Sequence, residues 1–343
     1  MRSVTSWKAL ALLPATLLLF WGAAPEADNL LPKPATRDSF KRESIPFPDE
    51  NSYSAAKADL GRLLFFDPLL SGSQSRSCSN CHNPGLSWGD GLPRALGEKQ
   101  VPLAVRSPTL IDVAWVPRLG WDGKFESLEA VTFGPITGKG NMNLPEPEVL
   151  MSRLSAIPGY VSAFKAAFGD SSITRSKIEV ALATYQRTLV ATEAPFDRWV
   201  KGNETAIDAA AKRGFALFAG KARCAECHSG PAFTDGSFHD IGTAKDDDIG
   251  RGRIFPSSVK LRYAFKTPTL RDVARRAPYM HDGSLPTLEA VIALYDRGGI
   301  ERPSRSPKVT PLGLTDKEKS DLVAFLRTLD GAPLSVTVPV LPR

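Results

Sequence analysis

Apolar residues recur at helical spacing through most of the chain. Between residues 55 and 66, leucine and phenylalanine repeat at intervals of three and four, and Ser54 directly before them is a typical N-cap. Comparable patterns predict helices over residues 146–156, 160–168, 173–191 and 205–219. The alternation typical of strands is scarce. The sequence therefore predicts a mainly α protein.

The last predicted helix carries the clearest start signal. Thr315 and Glu318 form a capping box, in which each residue satisfies a backbone N–H of the first turn. Leu322, Phe325 and Leu326 follow on one face, and Gly331 stands where the pattern stops. We therefore predict an amphipathic helix close to the C-terminus.

The N-terminus has a different pattern. Arg2 and Lys8 precede a largely apolar run over residues 9–20, and small residues follow at 22–24. This is the layout of a secretory signal peptide, which we assign to residues 1–27. The run is shorter than the roughly 20 residues of a membrane span, although an uncleaved N-terminal anchor has a similar pattern. We expect an exported protein with no stable membrane insertion after signal cleavage.

An internal repeat organises the rest of the chain. Residues 107–114, SPTLIDVA, match residues 267–274, TPTLRDVA, at an offset of 160 residues. The match continues without a gap through DG at 122–123 and 282–283, and LEAV at 128–131 and 288–291. Such a repeat indicates two homologous domains, which we place at residues 28–198 and 199–331, with a tail over 332–343.

Composition narrows the functional classes. The 343 residues are enough for two domains, and 42% apolar with 23% charged residues is ordinary for a soluble globular protein. The formal charge of +6 is not gathered into basic runs with interleaved aromatic residues. Nucleic acid is therefore not an expected partner.

The cysteines indicate the chemistry. All four lie in two C-x-x-C-H motifs, which comprise Cys78, Cys81 and His82, and Cys224, Cys227 and His228. Disulfides would not require the histidines, and a four-cysteine zinc site would leave them as coincidences. Covalent haem attachment uses every residue, because two thiols bind the haem vinyl groups and the histidine binds iron. We predict two cytochrome c-like domains, each with one covalently bound haem c.

The repeat also shows where the two halves differ. Trp121 in the first half corresponds to His281 in the second, and Pro135 corresponds to Tyr295. If this module lines the distal face of each haem, Tyr295 can bind the second iron, whereas a proline ring cannot bind the first. One haem would then be closed and the other open, as a redox enzyme requires. Met280 is a rival ligand, although its position in a turn favours packing.

Several motifs, in a fixed order over residues 54–330, extend this picture. They are LFFD at 64–67, SPTL at 107–110, WDGK at 121–124, FHDIG at 238–242, PYMHDG at 278–283 and YDRGG at 295–299. In these motifs the chain resembles the bacterial di-haem cytochrome c peroxidase and MauG superfamily. Tyrosine at position 295, where peroxidases have methionine, favours the MauG-like branch.

The resemblance implies a function and a set of roles. His82 is implied as the ligand of an open, peroxide-reactive haem, and His228 as the ligand of an electron-transfer haem that Tyr295 closes. Trp121 is implied as an electron relay between them. The expected activity is a periplasmic, hydrogen-peroxide-dependent oxidation of a protein substrate or a small redox protein.

The sequence departs from the family at catalytic positions. Glu98 stands where peroxidases have a distal histidine, Val131 replaces a distal glutamine, and Asn141 replaces the glutamate that serves as acid and base. Asparagine can hold peroxide by hydrogen bonds, but it cannot transfer a proton. Either another carboxylate, namely Glu98, Glu126 or Glu129, takes over, or peroxide turnover is weak. These departures leave open an alternative, a non-catalytic di-haem electron-transfer protein.

Two further positions bear on metals. The family binds calcium between its haems through an asparagine side chain, where this chain has Arg106, and through a carbonyl that Arg276 would provide. Arginine at this position argues against calcium. His239 and His281 are expected to form hydrogen bonds to a haem propionate or to the backbone rather than to bind iron.

Overall fold

The computed structural model describes residues 35–343; the predicted signal peptide at 1–27 lies outside the described residues. Within them the chain is mainly helical, as predicted. The α-helices are α1 (Ala55–Phe66), α2 (Leu128–Val131), α3 (Phe133–Thr137), α4 (Pro147–Ser155), α5 (Pro158–Phe168), α6 (Arg175–Arg187), α7 (Pro195–Val200), α8 (Ala209–Ala219), α9 (Leu288–Asp296) and α10 (Asp316–Arg327).

Short elements fill the connections. Two strands, β1 (Phe238–His239) and β2 (Phe265–Lys266), pair antiparallel, with Phe238 opposite Lys266. The 3₁₀ turns are Arg37–Phe40, Asp49–Asn51, Pro68–Leu70, Cys78–Asn80, Pro84–Leu86, Glu98–Gln100, Val113–Trp115, Cys224–Glu226, Arg251–Arg253, Val259–Leu261 and Val273–Arg275. Within residues 35–343 no helix is both long and apolar enough to span a membrane.

Caps explain where the predicted helices begin. The Thr315 hydroxyl accepts from the Glu318 N–H at 3.2 Å, while the Glu318 carboxylate accepts from the Thr315 N–H at 2.8 Å, so the predicted capping box is confirmed. Helix α8 begins at Ala209, later than predicted, because the Asp208 carboxylate accepts from the Ala211 N–H at 2.8 Å.

Each half has its own core, built around one close helix crossing. In the first half α1 crosses α6 at Gly61, where an added Cβ would lie 2.0 Å from the Ala181 carbonyl oxygen. In the second half α8 crosses α10 at Gly214, where an added Cβ would lie 1.9 Å from the Asp321 carbonyl oxygen. Only glycine permits these approaches.

The sequence repeat is also a structural repeat. Asp112 and Asp272 both adopt left-handed backbone conformations, with φ of 55° and 53°. The Asp112 carboxylate accepts from the Ala191 N–H at 2.8 Å, and the Asp272 carboxylate accepts from the Gly331 N–H at 3.1 Å. Each aspartate therefore ties its motif to the chain after the long helix of its own half.

Both ends of the described chain cross to the other half. Phe40 packs in the second core, where it stacks on Phe233 at a centroid distance of 4.5 Å. Leu334 and Val336, after α10, pack against the first core. The domain boundaries at 198/199 and 331/332 remain a prediction, and these terminal segments pack on the domain opposite to the one that adjoins them in sequence.

Candidate functional site

One cavity of about 1020 Å³ runs between the halves and contacts both C-x-x-C-H motifs. Its wall includes Trp121, Tyr295 and both histidines of the motifs. Such a volume is at the upper end for a small-molecule site, and the motifs supply its most reactive groups.

The first motif holds His82 in a defined orientation. Its cysteines lie on and just after the 3₁₀ turn Cys78–Asn80, and the His82 N–H donates to the Cys78 carbonyl at 2.9 Å. The imidazole Nδ1 lies 3.2 Å from the carbonyl oxygen of Trp88. Burial lowers the pKa of His82, so the ring is neutral, with Nδ1–H as donor and Nε2 as the available ligand atom.

The second motif repeats this arrangement. The His228 N–H donates to the Cys224 carbonyl at 2.9 Å, and Nδ1 lies 2.9 Å from the carbonyl oxygen of Phe233. Burial again lowers the pKa of the imidazole. Within residues 35–343 neither histidine has a hydrogen bond at Nε2, which is the geometry of an iron ligand oriented by its other nitrogen.

These residues fit covalent haem. All four cysteines are free thiols in the cavity wall, and burial raises the pKa of Cys78 and of Cys224 to about 12. They do not gather into a zinc site, since in the described part of the chain the group with metal-ligand spacing is Cys227, Asp235 and His239. Each motif instead presents two thiols and one imidazole to an apolar cavity, as thioether attachment and axial ligation require.

Trp121 lies where the two halves meet. Its indole Nε1 donates to the Arg106 carbonyl at 2.9 Å, and its own carbonyl accepts from the Lys266 N–H at 2.8 Å. The ring contacts His281, its counterpart in the repeat, edge-on at 6.4 Å between centroids. The tryptophan is therefore fixed by one hydrogen bond within its own half, and by one hydrogen bond and one ring contact to the other half.

Tyr295 lies on α9 and faces the second motif. Burial, followed by the nearby sulfurs of Cys227 and Cys224, raises the pKa of Tyr295. As long as no cation lies beside its oxygen, the phenol therefore stays protonated and neutral. Pro135, its counterpart in the first half, also lies in the cavity wall. The two halves therefore present different side chains to this cavity at equivalent positions of the repeat: a phenol in the second half and a proline ring in the first.

The predicted distal residues are separated. Asn141 and Val131 lie in the cavity wall, whereas Glu98 is not one of the wall residues. Glu98 is 6% exposed, its Oε2 has no hydrogen-bond partner, and its backbone N–H donates to the Asn141 carbonyl at 2.7 Å. The acid or base role considered for Glu98 therefore finds no support in its position, although its backbone helps to hold Asn141.

The structure adds a carboxylate that the sequence analysis missed. Asp248 lies in the wall, and its Oδ2 is 2.7 Å from His281 Nε2; Phe265 stacks on the same imidazole at 3.7 Å. His239 likewise pairs with Asp235 at 3.0 Å. Although burial opposes protonation, Asp235 and the Cys227 sulfur raise the pKa of His239 to about 9. Both histidines therefore bond to side-chain carboxylates. Asp235 and His239 are four residues apart, whereas Asp248 and His281 are 33 residues apart and no local pattern indicates their contact.

Arg106 fills the position at which calcium was considered. Its guanidinium Nη2 donates to the Arg276 carbonyl at 2.9 Å, which is the oxygen that would have bound the cation. The arginine side chain thus brings a positive charge to this carbonyl directly.

Comparisons with known proteins agree with this site. The family model described as di-haem cytochrome c peroxidase matches residues 55–205, and the cytochrome c model matches residues 211–330. The chain is 51% identical over 311 residues to the methylamine utilization protein MauG of Methylorubrum extorquens, covering 90% of this chain and 88% of that protein. It is 37% identical over 335 residues to the cytochrome-c peroxidase IdrP1 of Denitromonas iodatirespirans, covering 87% and 88%. Among solved structures, a MauG-like protein associated with microbial copper homeostasis matches with a TM-score of 0.78 and 28% identity, covering 90% and 96%.

Proposed function

Because this chain belongs to the di-haem cytochrome c peroxidase family, in its MauG-like branch, we propose that it is a periplasmic oxidoreductase that uses hydrogen peroxide to oxidise a partner protein or a small redox protein. The observation that carries the proposal is the single cavity that joins both C-x-x-C-H motifs across Trp121. In the overall reaction, peroxide takes up two electrons and two protons and yields two molecules of water. The partner loses the two electrons.

The bound haems supply iron centres that react with peroxide and accept electrons. The chain supplies their attachment and orientation. The thioether bonds to the haems would be formed by Cys78, Cys81, Cys224 and Cys227. His82 and His228 present Nε2, because the Trp88 and Phe233 carbonyls accept a hydrogen bond from Nδ1.

Tyr295 and Pro135 assign different roles to the two halves. Tyr295 would supply its phenol oxygen to the iron of the second half, whereas the pyrrolidine ring of Pro135 has no donor atom and would leave the iron of the first half accessible to peroxide. Trp121 then carries electrons between the halves. Its ring is held by the Arg106 carbonyl and its backbone by Lys266.

The proposed site lacks an obvious side chain that could deliver protons to peroxide. Asn141 can donate hydrogen bonds to peroxide, but its amide does not ionise. Glu129, a second carboxylate considered for this task, is held by Arg187 at 2.6 and 2.9 Å and by Asn51 at 2.8 Å. Glu126 lies outside the cavity wall, with its side chain 76% exposed. Since position 141 has no ionisable side chain, we expect slower peroxide cleavage than a carboxylate there would give.

The deciding experiment is electron paramagnetic resonance of the ferric, haem-loaded protein before and after one equivalent of hydrogen peroxide. We expect one high-spin and one low-spin signal, both of which change on mixing. Two low-spin signals that do not respond to peroxide would overturn the proposal. They would favour the electron-transfer protein, for which Val131 and Asn141 are the supporting observations.

A further inference from the structure

Two cations stand at the same position of the two repeats. Arg106 precedes the SPTL motif and Lys266 precedes the TPTL motif, 160 residues later. Both line the cavity. The Arg106 N–H donates to the His281 carbonyl at 2.9 Å, and the Lys266 N–H donates to the Trp121 carbonyl at 2.8 Å. Since His281 and Trp121 are themselves repeat counterparts, the two bonds are equivalent, and each cation is held at the junction of the halves.

Neither cation has an anionic partner within residues 35–343. Arg106 is 8% exposed; its Nη2 donates to a carbonyl, and its Nε has no hydrogen bond. The Lys266 ammonium has no hydrogen bond to the described residues, and burial lowers its pKa to about 8. Asp90 and Asp235 act on the two cations only through space. Arg276, a third cation in the wall, bonds the Thr269 and Asp272 carbonyls.

Arg106 is buried, and Lys266 is half-buried in the cavity wall. A charge that is withdrawn from water without a partner is costly, so proteins rarely keep one unless a ligand neutralises it. The cavity between these residues takes two haems, and each haem carries two propionate carboxylates. We propose that Arg106 and Lys266 are the propionate-binding residues of the cavity, each forming an ion pair with a carboxylate of a bound haem. This rests on haem binding and not on the peroxide reaction.

The test uses the haem-loaded protein without peroxide or partner. A cation near haem favours the reduced state, which has one positive charge fewer on the iron. Lys266→Met should therefore lower the ratio of reduced to oxidised haem at a fixed potential by about tenfold for one haem, or 59 mV for a one-electron couple. Lys266→Arg should stay within threefold of the parent. Lys260→Met, at an exposed lysine of the same half, is the matched control.

Resonance Raman spectra give a second readout that a merely structural role would not move. The propionate bending band should shift in Lys266→Met and in Arg106→Met, and return in Lys266→Arg. If both methionine variants bind haem with unchanged potentials and an unchanged band, the proposal is wrong.

A third measurement uses only the parent protein, so it can be made even if the substituted variants fail to fold. In the parent, paired propionates should remain ionised, and the band should stay constant between pH 5.5 and 7.5. A band that titrates in this range would show unpaired propionates and overturn the assignment, whatever the outcome with peroxide.

Discussion

The indole Nε1 of Trp121 donates to the Arg106 carbonyl at 2.9 Å, so the proposed relay residue is anchored to the segment that enters the first repeated motif. This bond fixes the plane of the ring at the junction of the halves. An electron relay depends on such a fixed position, because the transfer rate depends on the distance and orientation of the aromatic ring.

Removing that ring should uncouple the halves. We expect Trp121→Phe to bind both haems but to slow electron transfer between them at least tenfold, since phenylalanine is harder to oxidise and loses the bond to Arg106. Rapid-mixing absorption spectroscopy with peroxide would follow each haem. Trp115→Phe, outside the cavity wall, is the control. Equal rates in parent and Trp121→Phe would exclude the relay role.

The second haem should lose its oxygen ligand in Tyr295→Phe, which keeps the ring and removes only the hydroxyl. We expect a change of spin state at that haem, visible by electron paramagnetic resonance, while the first haem keeps its signal. Tyr263→Phe, in the same half but outside the wall, should leave both signals unchanged. An unchanged spectrum in Tyr295→Phe would exclude tyrosine ligation.

A carboxylate at position 141 should restore proton transfer. We expect Asn141→Glu to accelerate the first reaction with peroxide by about 100-fold, the lower end of the effect of a positioned acid or base. Asn141→Gln, which lengthens the side chain equally but keeps the amide, should gain nothing. Similar rates in the two variants would show that proton supply does not limit the reaction.

Asp330 should make stability depend on pH. Burial raises the pKa of its carboxyl from 3.8 to about 6, against the hydrogen bond from the Ala274 N–H. The folded protein therefore binds a proton more tightly than the unfolded chain, and its stability falls as pH rises from about 4 to 6. Asp330→Asn keeps an acceptor without the charge. It should raise the free energy of unfolding by about 1 kcal/mol at pH 7.5 and hardly at pH 4.

Denaturant unfolding at both pH values would measure this difference. Asp59→Asn, at a side chain 71% exposed, is the control and should change neither value. A gain for Asp330→Asn that is equal at pH 4 and pH 7.5 would contradict the assignment to ionisation.

Calcium removal should have no effect. Because the Arg106 guanidinium already donates to the Arg276 carbonyl, dialysis against a chelator should leave the haem spectra and the melting temperature unchanged. A spectral change that added calcium reverses would show that a cation binds despite the arginine.

The local features of this molecule could be predicted from its sequence. The capping box at Thr315, the repeat and the haem motifs depend on short spacings, which fix hydrogen bonds within one turn or one loop. The motif histidines are predicted as iron ligands from the neighbouring cysteines alone, and the structure shows which carbonyl orients each imidazole.

Long-range placement could not be read in the same way. Asp248 lies 33 residues before His281, in a segment without helical or strand periodicity, so nothing local indicates their contact. Glu98 stands where the family has a distal ligand, yet it is not one of the residues of the cavity wall. Such positions depend on how segments far apart in sequence pack together.

The crossing of the chain ends has a consequence for how the protein assembles. Phe40 leaves the ribosome early but completes the second core, while Leu334 and Val336 leave last and complete the first. The first core cannot close fully until residues 334–336 have been synthesised, and the second core needs the residues of α10 that shortly precede them. The two halves therefore complete their packing at nearly the same point, close to the end of synthesis, and not one after the other.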